Sequence, residues 1–251
     1  MEDNNKHIEL NRYQDGTPSA MRKPTVYTGL HFYRKSDVLV QLTKAFCGRF
    51  LPRYGDRTVD QMVQAARSVK QNIVEGLTDG QTSFETEIKL LGIARGSNQE
   101  LLEDYQDYIK QHGIPEWAKE NQSRYDSMRK FCREHSDELD YHPFFSKWTD
   151  EEMANLAICL CHMVDKAMTS FIAKRDREFV EEGGIRERMT AARLEMRATQ
   201  KQTIEQQDKE IARLKGMIAA QQREIEALRA RLAMAERRGE AGEPGKAPAH
   251  R

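Results

Sequence analysis

The chain has 251 residues, enough for one or two domains with an apolar core. Its 40 basic and 40 acidic residues balance, which excludes attraction of nucleic acid through overall charge. The sequence shows neither a run of about 18 apolar residues nor an apolar N-terminal segment, so it predicts no transmembrane helix and no signal peptide. The four cysteines lack the spacing of a disulfide framework, which favours a reduced, cytoplasmic protein without membrane contact.

Composition divides the chain into four segments. Residues 1–29 are polar and contain Gly and Pro, which is typical of a flexible arm. Residues 30–182 carry apolar side chains at helical spacing and are the expected folded domain. Residues 183–238 are rich in Arg, Gln, Glu and Ala, which favours one long helix. Residues 239–251 contain Gly, Pro and Ala without periodicity, and this predicts a disordered tail.

The spacing of apolar residues predicts four main helices in the folded domain. They run from Phe32 to Leu51, from Thr58 to Leu77, from Ser83 to Gln111, and onward from Thr149. Thr149 with Glu152 three residues later is typical of a capping box at a helix start. Residues 113–149 form a connector that contains a shorter helical segment over 116–134. The predicted fold is all-α, an antiparallel four-helix bundle followed by a long C-terminal coiled-coil helix.

Apolar residues repeat every seven positions in the C-terminal segment. The expected coiled-coil seam consists of Ile204, Ile211, Ile218, Ile225 and Leu232 at one position, with Leu214 and Leu228 at the other. Gln207 and Gln221 interrupt the second position. Isoleucine at one seam position and leucine at the other favours a parallel dimer, in which Glu210 would face Lys215 of a neighbouring chain. The pattern predicts a self-associating coiled coil, and a solitary charged helix is the alternative.

Two segments rich in small residues lie inside the second and third predicted helices. Their characteristic positions are Ala65, Ala66, Ser68, Val69, Asn72, Ile73, Glu75 and Gly76 in the first, and Ala94, Arg95, Gly96, Ser97, Glu100 and Leu101 in the second. Glycine inside a helix costs about 1 kcal/mol relative to alanine, so these glycines predict closely approaching backbones or a polar contact between helices. The polar members are predicted to pair between the two helices. Catalysis by Glu75 and Glu100 as paired carboxylates is the alternative.

In their order and separation, these segments resemble the signatures of the four-helix-bundle family of the bacterial 23S rRNA intervening-sequence protein. That family includes the accessory variability determinant of diversity-generating retroelements, and the resemblance spans residues 32–175. The connector and the C-terminal segment depart from the minimal pattern and resemble the extended form with a four-helix-bundle suffix domain. The resemblance implies a non-enzymatic homo-oligomer, pentameric in typical members. It also implies an accessory role with RNA or DNA, and with a reverse transcriptase or another protein as partner.

Basic residues cluster on the first two predicted helices. The candidate nucleic-acid contacts are Arg34, Lys35, Lys44, Arg49, Arg53, Arg57, Arg67 and Lys70. If several of these cations contact phosphates, binding weakens steeply with salt. An ordinary solvated helix face is the alternative. In that case the chain is a protein-interaction adaptor that uses its coiled coil and binds no nucleic acid.

The cysteines of the fourth helix are a weak metal candidate. On a helix Cys159 and Cys161 point about 200° apart, so they cannot easily share one ion. Cys161 is predicted to lie in the core instead. The sequence carries no phosphate loop or cofactor fingerprint and no nucleophile beside a base. No catalytic residue, metal or cofactor is therefore predicted.

Overall fold

The computed structural model describes residues 8–52 and 57–240, and over these ranges the protein is all-α apart from one short pair of strands. The α helices of the described residues are α1 (His31–Phe50), α2 (Thr58–Asp79), α3 (Phe84–Gln111), α4 (Trp117–Glu120), α5 (Gln122–Glu134), α6 (Glu138–Tyr141), α7 (Asp150–Glu182) and α8 (Ile185–Glu240). Strands β1 (Asn11–Arg12) and β2 (Pro18–Ser19) pair antiparallel. Short 3-10 helices cover Tyr27–Gly29 and His142–Phe144. The chain divides into two units, residues 1–192 and residues 193–251.

Four long helices of the first unit share one apolar core. Helices α1 and α3 each contact both α2 and α7. Apolar residues recur three and four apart on each helix, which places them on one face toward the core. Leu39, Val69, Leu101 and Leu160 are fully buried examples, one from each helix. The predicted limits of these helices agree with the observed ones to within two residues.

The start of α7 confirms the capping box predicted at Thr149. The Glu152 backbone N–H donates to Thr149 Oγ1 at 3.2 Å, and the Thr149 backbone N–H donates to Glu152 Oε2 at 2.9 Å. Helix α3 begins in a related way, because the Thr86 backbone N–H donates to the Ser83 hydroxyl at 3.1 Å. Each cap satisfies N–H groups that lack a partner within the helix, which is worth about 1 kcal/mol.

The glycines inside α2 and α3 behave in two different ways. A Cβ atom at Gly76 would lie 3.1 Å from Leu90 Cβ and 3.3 Å from the Glu87 carbonyl oxygen, so α2 and α3 approach closely here as predicted. A Cβ atom at Gly92 or Gly96 would meet nothing within 4 Å. The prediction of close approach is therefore wrong for Gly96, which faces the outside of α3 as Gly92 does.

The connector contains three short helices, where a single helical segment was expected over residues 116–134. Asn121 interrupts that segment, and its side chain accepts a hydrogen bond from the Arg124 backbone N–H at the start of α5. The beginning of the connector is fixed to α7 by one side-chain amide. Asn155 Nδ2 donates to the Pro115 carbonyl at 3.0 Å, while Asn155 Oδ1 accepts from the Trp117 backbone N–H at 2.8 Å.

The N-terminal segment differs from the flexible arm predicted over residues 1–29. In its described part, the Arg22 backbone N–H donates to the Gln81 carbonyl at 3.2 Å. The Arg22 guanidinium donates to the Gly80 carbonyl at 3.1 Å and pairs with Glu87 of α3. The polar composition of this segment is typical of a solvated arm, but one of its polar residues, Arg22, forms an ion pair with the buried carboxylate of Glu87.

Among the described helices, α7 alone is long enough and apolar enough to cross a bilayer, judged by length and composition only. Of its most apolar 18-residue window, 44% is buried inside the fold. Residues 153–161 are buried without interruption. Contacts with α1 and α3 account for this run of buried side chains, and core helices of folded domains often share such a composition.

Candidate functional site

Lys35 does not belong to the exposed basic face on which the sequence placed it. It is only 1% exposed on the inner side of α1. Its ammonium group donates to the carbonyls of Cys132 and His135 and, at 3.1 Å, to the Tyr141 hydroxyl. A buried ammonium cannot contact a phosphate in solvent, so the assignment of Lys35 to nucleic-acid binding is wrong. The residues that cover Lys35 belong to the connector, about a hundred positions further along the chain, so the local pattern of α1 does not indicate its burial.

Two further candidates on α1 are exposed but engaged in contacts within the chain. Arg34 Nε donates to the Thr28 carbonyl at 2.9 Å. The Arg49 guanidinium donates to the Phe145 carbonyl and lies 4.4 Å from the centre of the Phe50 ring. These contacts orient the two arginines toward their own chain. Arg53, another candidate, lies outside the described residues.

Lys44, Arg67 and Lys70 come together at a groove between α1 and α2. The groove has a volume of about 370 Å³. Its lining residues are Val40, Gln41, Lys44, Arg67, Lys70, Gln71, Val74 and Glu75. Positions three and four apart on a helix share a face, which explains why Arg67 and Lys70 point into the same groove. Three cations thus line one shallow groove, together with Val40 and Val74.

Acidic neighbours offset part of this positive charge. Lys70 Nζ lies 2.6 Å from Asp37 Oδ1, and both side chains are about one third exposed. Burial lowers the pKa of Lys70, but the hydrogen bond and the charge of Asp37 outweigh it, so the pKa is raised. Glu75 lines the same groove from α2. The groove is therefore less positive than three cations alone would make it.

Arg57 lines a different groove, at the junction of α2 and α3. Asp60 and Glu100 also line it, together with Ser68 and Ser97. Two carboxylates next to one guanidinium give this groove a mixed charge. The seven described candidate residues therefore do not form one continuous face.

The polar residues of the small-residue segments pair differently from the prediction. Ser97 Oγ donates to Ser68 Oγ at 3.0 Å, which joins α3 to α2 as expected. Asn72 instead donates within α2, to the Ser68 carbonyl and hydroxyl at 2.9 and 3.1 Å. Arg95 is 41% exposed and pairs with Asp165 of α7 at 2.8 Å.

The carboxylates of these segments are not brought together. Glu75 and Glu100 are both exposed, and they line different grooves. This arrangement does not supply the paired carboxylates that acid–base catalysis would need. The polar contact that does lie in the core comes from Asn98, whose Nδ2 donates to the Cys161 carbonyl of α7 at 3.0 Å. Asn98 lies among the apolar residues that form the buried face of α3, and this position in the sequence could have indicated its burial.

Four arginines line a cleft of about 630 Å³ beside the N-terminal segment, and ion pairs hold three of them, Arg22, Arg175 and Arg188. Arg22 and Arg175 both pair with Glu87, at 3.0 and 2.9 Å. Arg188 pairs with Glu182 at 3.0 Å and donates to a backbone carbonyl of the N-terminal segment. Burial and the neighbouring charge of Arg175 lower the pKa of Arg22. Because carboxylates of the same chain engage all three, the cluster holds the fold together.

The second unit presents the largest set of exposed apolar side chains. The expected seam residues Ile204, Ile211, Leu214, Ile218, Ile225, Leu228 and Leu232 are between 46% and 61% exposed. They lie on one continuous helix, α8, at heptad spacing. On α8 these side chains form an exposed apolar row of the kind that often marks an interaction surface.

Cys159 and Cys161 are both buried on α7, as predicted for Cys161. Among residues 8–52 and 57–240, no three His, Cys, Asp or Glu side chains lie close enough together to hold a metal ion. No family model matches the chain, and no curated protein or solved structure matches it.

Proposed function

We propose that the chain is a non-enzymatic oligomeric scaffold protein, in which an antiparallel four-helix bundle is joined to a C-terminal coiled coil that self-associates. The observation that carries this proposal is the exposed heptad row of α8. Fully burying an Ile or Leu side chain is worth about 1.5–3 kcal/mol. Seven half-exposed residues of this kind therefore provide a substantial driving force for association between copies.

Charge favours a parallel arrangement of two copies. In a parallel pair, Glu210 faces Lys215 of the neighbouring chain, and Glu224 faces Arg229. Gln207 and Gln221 weaken the seam, but paired polar residues fix the register between helices.

Sedimentation equilibrium of the full chain tests this proposal. The wild-type mass should exceed that of one chain, and Ile218→Asp should reduce it, because an aspartate would enter the seam. Ala220→Asp is the matched control, since position 220 is not a seam position and lies about 200° around the same helix from Ile218. A monomeric wild type, or an equal effect of both substitutions, would contradict assembly through α8.

Nucleic-acid binding is the second candidate function. It is favoured by the convergence of Lys44, Arg67 and Lys70 on the α1–α2 groove. The two small-residue segments support membership of the intervening-sequence protein family, whose retroelement member uses basic surfaces in this way. We therefore propose that this groove contacts the phosphates of RNA or DNA. The competing proposal is a protein-interaction adaptor that binds no nucleic acid.

Binding of a labelled structured RNA and of a matched DNA duplex across a salt series separates these proposals. Saturable binding that weakens steeply with salt is expected if phosphates are contacted. Arg67→Glu should weaken binding more than Arg34→Glu, because Arg34 makes the same change of charge outside the groove. An equal loss of affinity in both variants would show that the phosphates do not contact this groove. No binding at low salt would favour the adaptor.

A further inference from the structure

Helices α7 and α8 meet at two glycines, Gly183 and Gly184. Gly183 has φ +74° and ψ 177°, a backbone conformation that is essentially confined to glycine. The Gly184 backbone N–H donates to Glu187 Oε2 at 3.0 Å, which caps the start of α8 but does not attach it to another helix. Glycine loses more conformational freedom on folding than any other residue, so the backbone alone does not keep this junction in one conformation. Contacts from other parts of the chain are needed to fix the first turns of α8.

Arg188 supplies such contacts. Of the described side chains of α8, those of Arg188 and Ala192 are the buried ones. Arg188 Nε donates to the Ala20 carbonyl at 3.0 Å, and its Nη1 atom lies 3.0 Å from Glu182 Oε2. A buried guanidinium is strongly unfavourable without partners, so Arg188 depends on both contacts. One side chain therefore joins α8 to the end of α7 and to the N-terminal segment.

The N-terminal segment is in turn fixed to the bundle. The Arg22 guanidinium pairs with Glu87 of α3 at 3.0 Å and lies 3.5 Å from the centre of the Phe84 ring. Thr25 Oγ1 accepts a hydrogen bond from Arg175 of α7 at 2.6 Å. None of these contacts involves α8. The segment therefore connects the start of α8 to α3 and α7 indirectly.

Direct packing between the bundle and the start of α8 is sparse. Over the described residues, no helix packs along the first turns of α8 to the extent that α1, α2, α3 and α7 pack on one another. Ile185 and Arg188 instead border a small cavity that Ala20 and Arg22 of the N-terminal segment also line, together with Phe84 of α3. The N-terminal segment thus meets the start of α8 beside the beginning of α3.

We propose that residues 8–29 of the N-terminal segment form a clamp that holds the start of α8 in one position, and that release of this clamp frees the Gly183–Gly184 junction. The clamp has two attachments that lie close together in sequence. Arg22 fixes the clamp to α3, and Ala20 receives the guanidinium of Arg188. Loss of either attachment lets the first turns of α8 open locally, because few other contacts hold them.

Hydrogen–deuterium exchange of the full chain, followed by mass spectrometry of its peptides, tests the proposal. Arg188→Ala should make the backbone amides of residues 185–192 exchange about tenfold faster, because the first turns of α8 lose their attachment. Arg186→Ala is the matched control. It removes the same charge from an exposed position of the same helix and should leave this exchange unchanged.

Arg22→Gln distinguishes a clamp from a purely local contact. In the described structure, Arg22 donates to Gly80, Glu87 and Glu178 and to no residue of α8. Its substitution should nevertheless speed exchange at residues 185–192 about tenfold, because the clamp loses its anchor on α3. Lys23→Gln removes the charge of an exposed neighbour and should have no such effect.

Exchange of the wild-type chain in increasing urea gives a test that does not depend on whether the variants fold. Residues 17–23 and 185–192 should open together, at a lower urea concentration than α1. Protection of residues 185–192 that persists after residues 17–23 have opened would overturn the proposal. Unchanged exchange in Arg188→Ala would overturn it as well, and so would an effect of Arg188→Ala that folded Arg22→Gln does not share. The seam of α8 begins beyond the junction, at Ile204, so a monomeric chain would contradict self-association and leave this test intact.

Discussion

Glu87 of α3 is fully buried, and Arg22 of the N-terminal segment lies 3.0 Å from its Oε2 atom. Its Oε1 atom accepts a hydrogen bond from Arg175 of α7 at 2.9 Å. One carboxylate thus joins three parts of the chain that are far apart in sequence. Removing one member of a buried ion pair leaves an uncompensated charge, so the three residues depend on one another.

Replacing Glu87 should therefore destabilise the fold strongly. We expect Glu87→Ala to lower the free energy of unfolding by about 3–5 kcal/mol, because two guanidinium groups lose their buried partner. Urea denaturation followed by circular dichroism measures the effect. Glu100→Ala is the control, since exposed Glu100 should change stability by less than about 0.5 kcal/mol. Similar changes in both variants would show that the Glu87 contacts contribute little.

The acid sensitivity of the fold should depend on Glu178. Burial raises the pKa of Glu178, but the hydrogen bond and charge of Arg175 outweigh it, so the pKa lies below its ordinary value of 4.5. A carboxylate with a lowered folded-state pKa stabilises the fold fully above its unfolded value, and this contribution is lost as the pH falls through the folded value. From about pH 5 to about pH 3, the urea midpoint of the wild type should decrease more steeply than that of Glu178→Gln. Parallel curves would exclude this contribution.

Two helical glycines should respond to alanine in opposite directions. Gly96→Ala should raise the free energy of unfolding by about 0.5–1 kcal/mol, because alanine favours the helix and the new methyl group meets no atom within 4 Å. Gly76→Ala should lower it by about 1–3 kcal/mol, because the methyl group presses on Leu90 and on the α3 backbone. Thermal unfolding of the two variants compares them directly. A stabilising Gly76→Ala would show that α2 and α3 can separate slightly without loss.

Lys35 should matter for stability and not for nucleic-acid affinity. We expect Lys35→Gln to lower the free energy of unfolding by about 1–3 kcal/mol, because a shorter neutral group leaves buried carbonyls without their donor. Lys44→Gln should leave stability within about 0.5 kcal/mol, because Lys44 is exposed. Denaturation and the RNA titration are measured on the same two variants. A weaker affinity for RNA in folded Lys35→Gln would restore the original assignment.

Local patterns predicted the long helices well. Apolar spacing placed α1, α2 and α3, and Thr149 with Glu152 marked the start of α7, because these signals act within one or two turns. Gly76 and Gly96 show where such reasoning stops. Both interrupt a helical pattern in the same way, but only the packing partner decides whether the missing side chain makes room for a neighbouring backbone.

The candidate site was less predictable, because it depends on contacts between distant segments. Spacing on α1 placed Lys35 beside the polar face, while the connector that buries it lies about a hundred residues further along the chain. Arg22 has the composition of a solvated arm, yet its partner Glu87 lies 65 residues away. Lys44 and Arg67 face one groove because α1 and α2 pack together, and neither helix alone indicates this.

The side-chain amide of Asn155 also has a consequence for how this protein tolerates changes of length. By bonding to Pro115 and Trp117, it holds the start of the connector close to the beginning of α7, where the connector ends. The intervening residues therefore leave and rejoin the core at nearly the same place. For such a closed excursion, doubling the number of residues costs only about 0.6 kcal/mol of chain entropy. Insertions between α4 and α5, beside Asn121, should leave the packing of α1, α2, α3 and α7 undisturbed, because α5 and α6 would keep their contacts with Lys35.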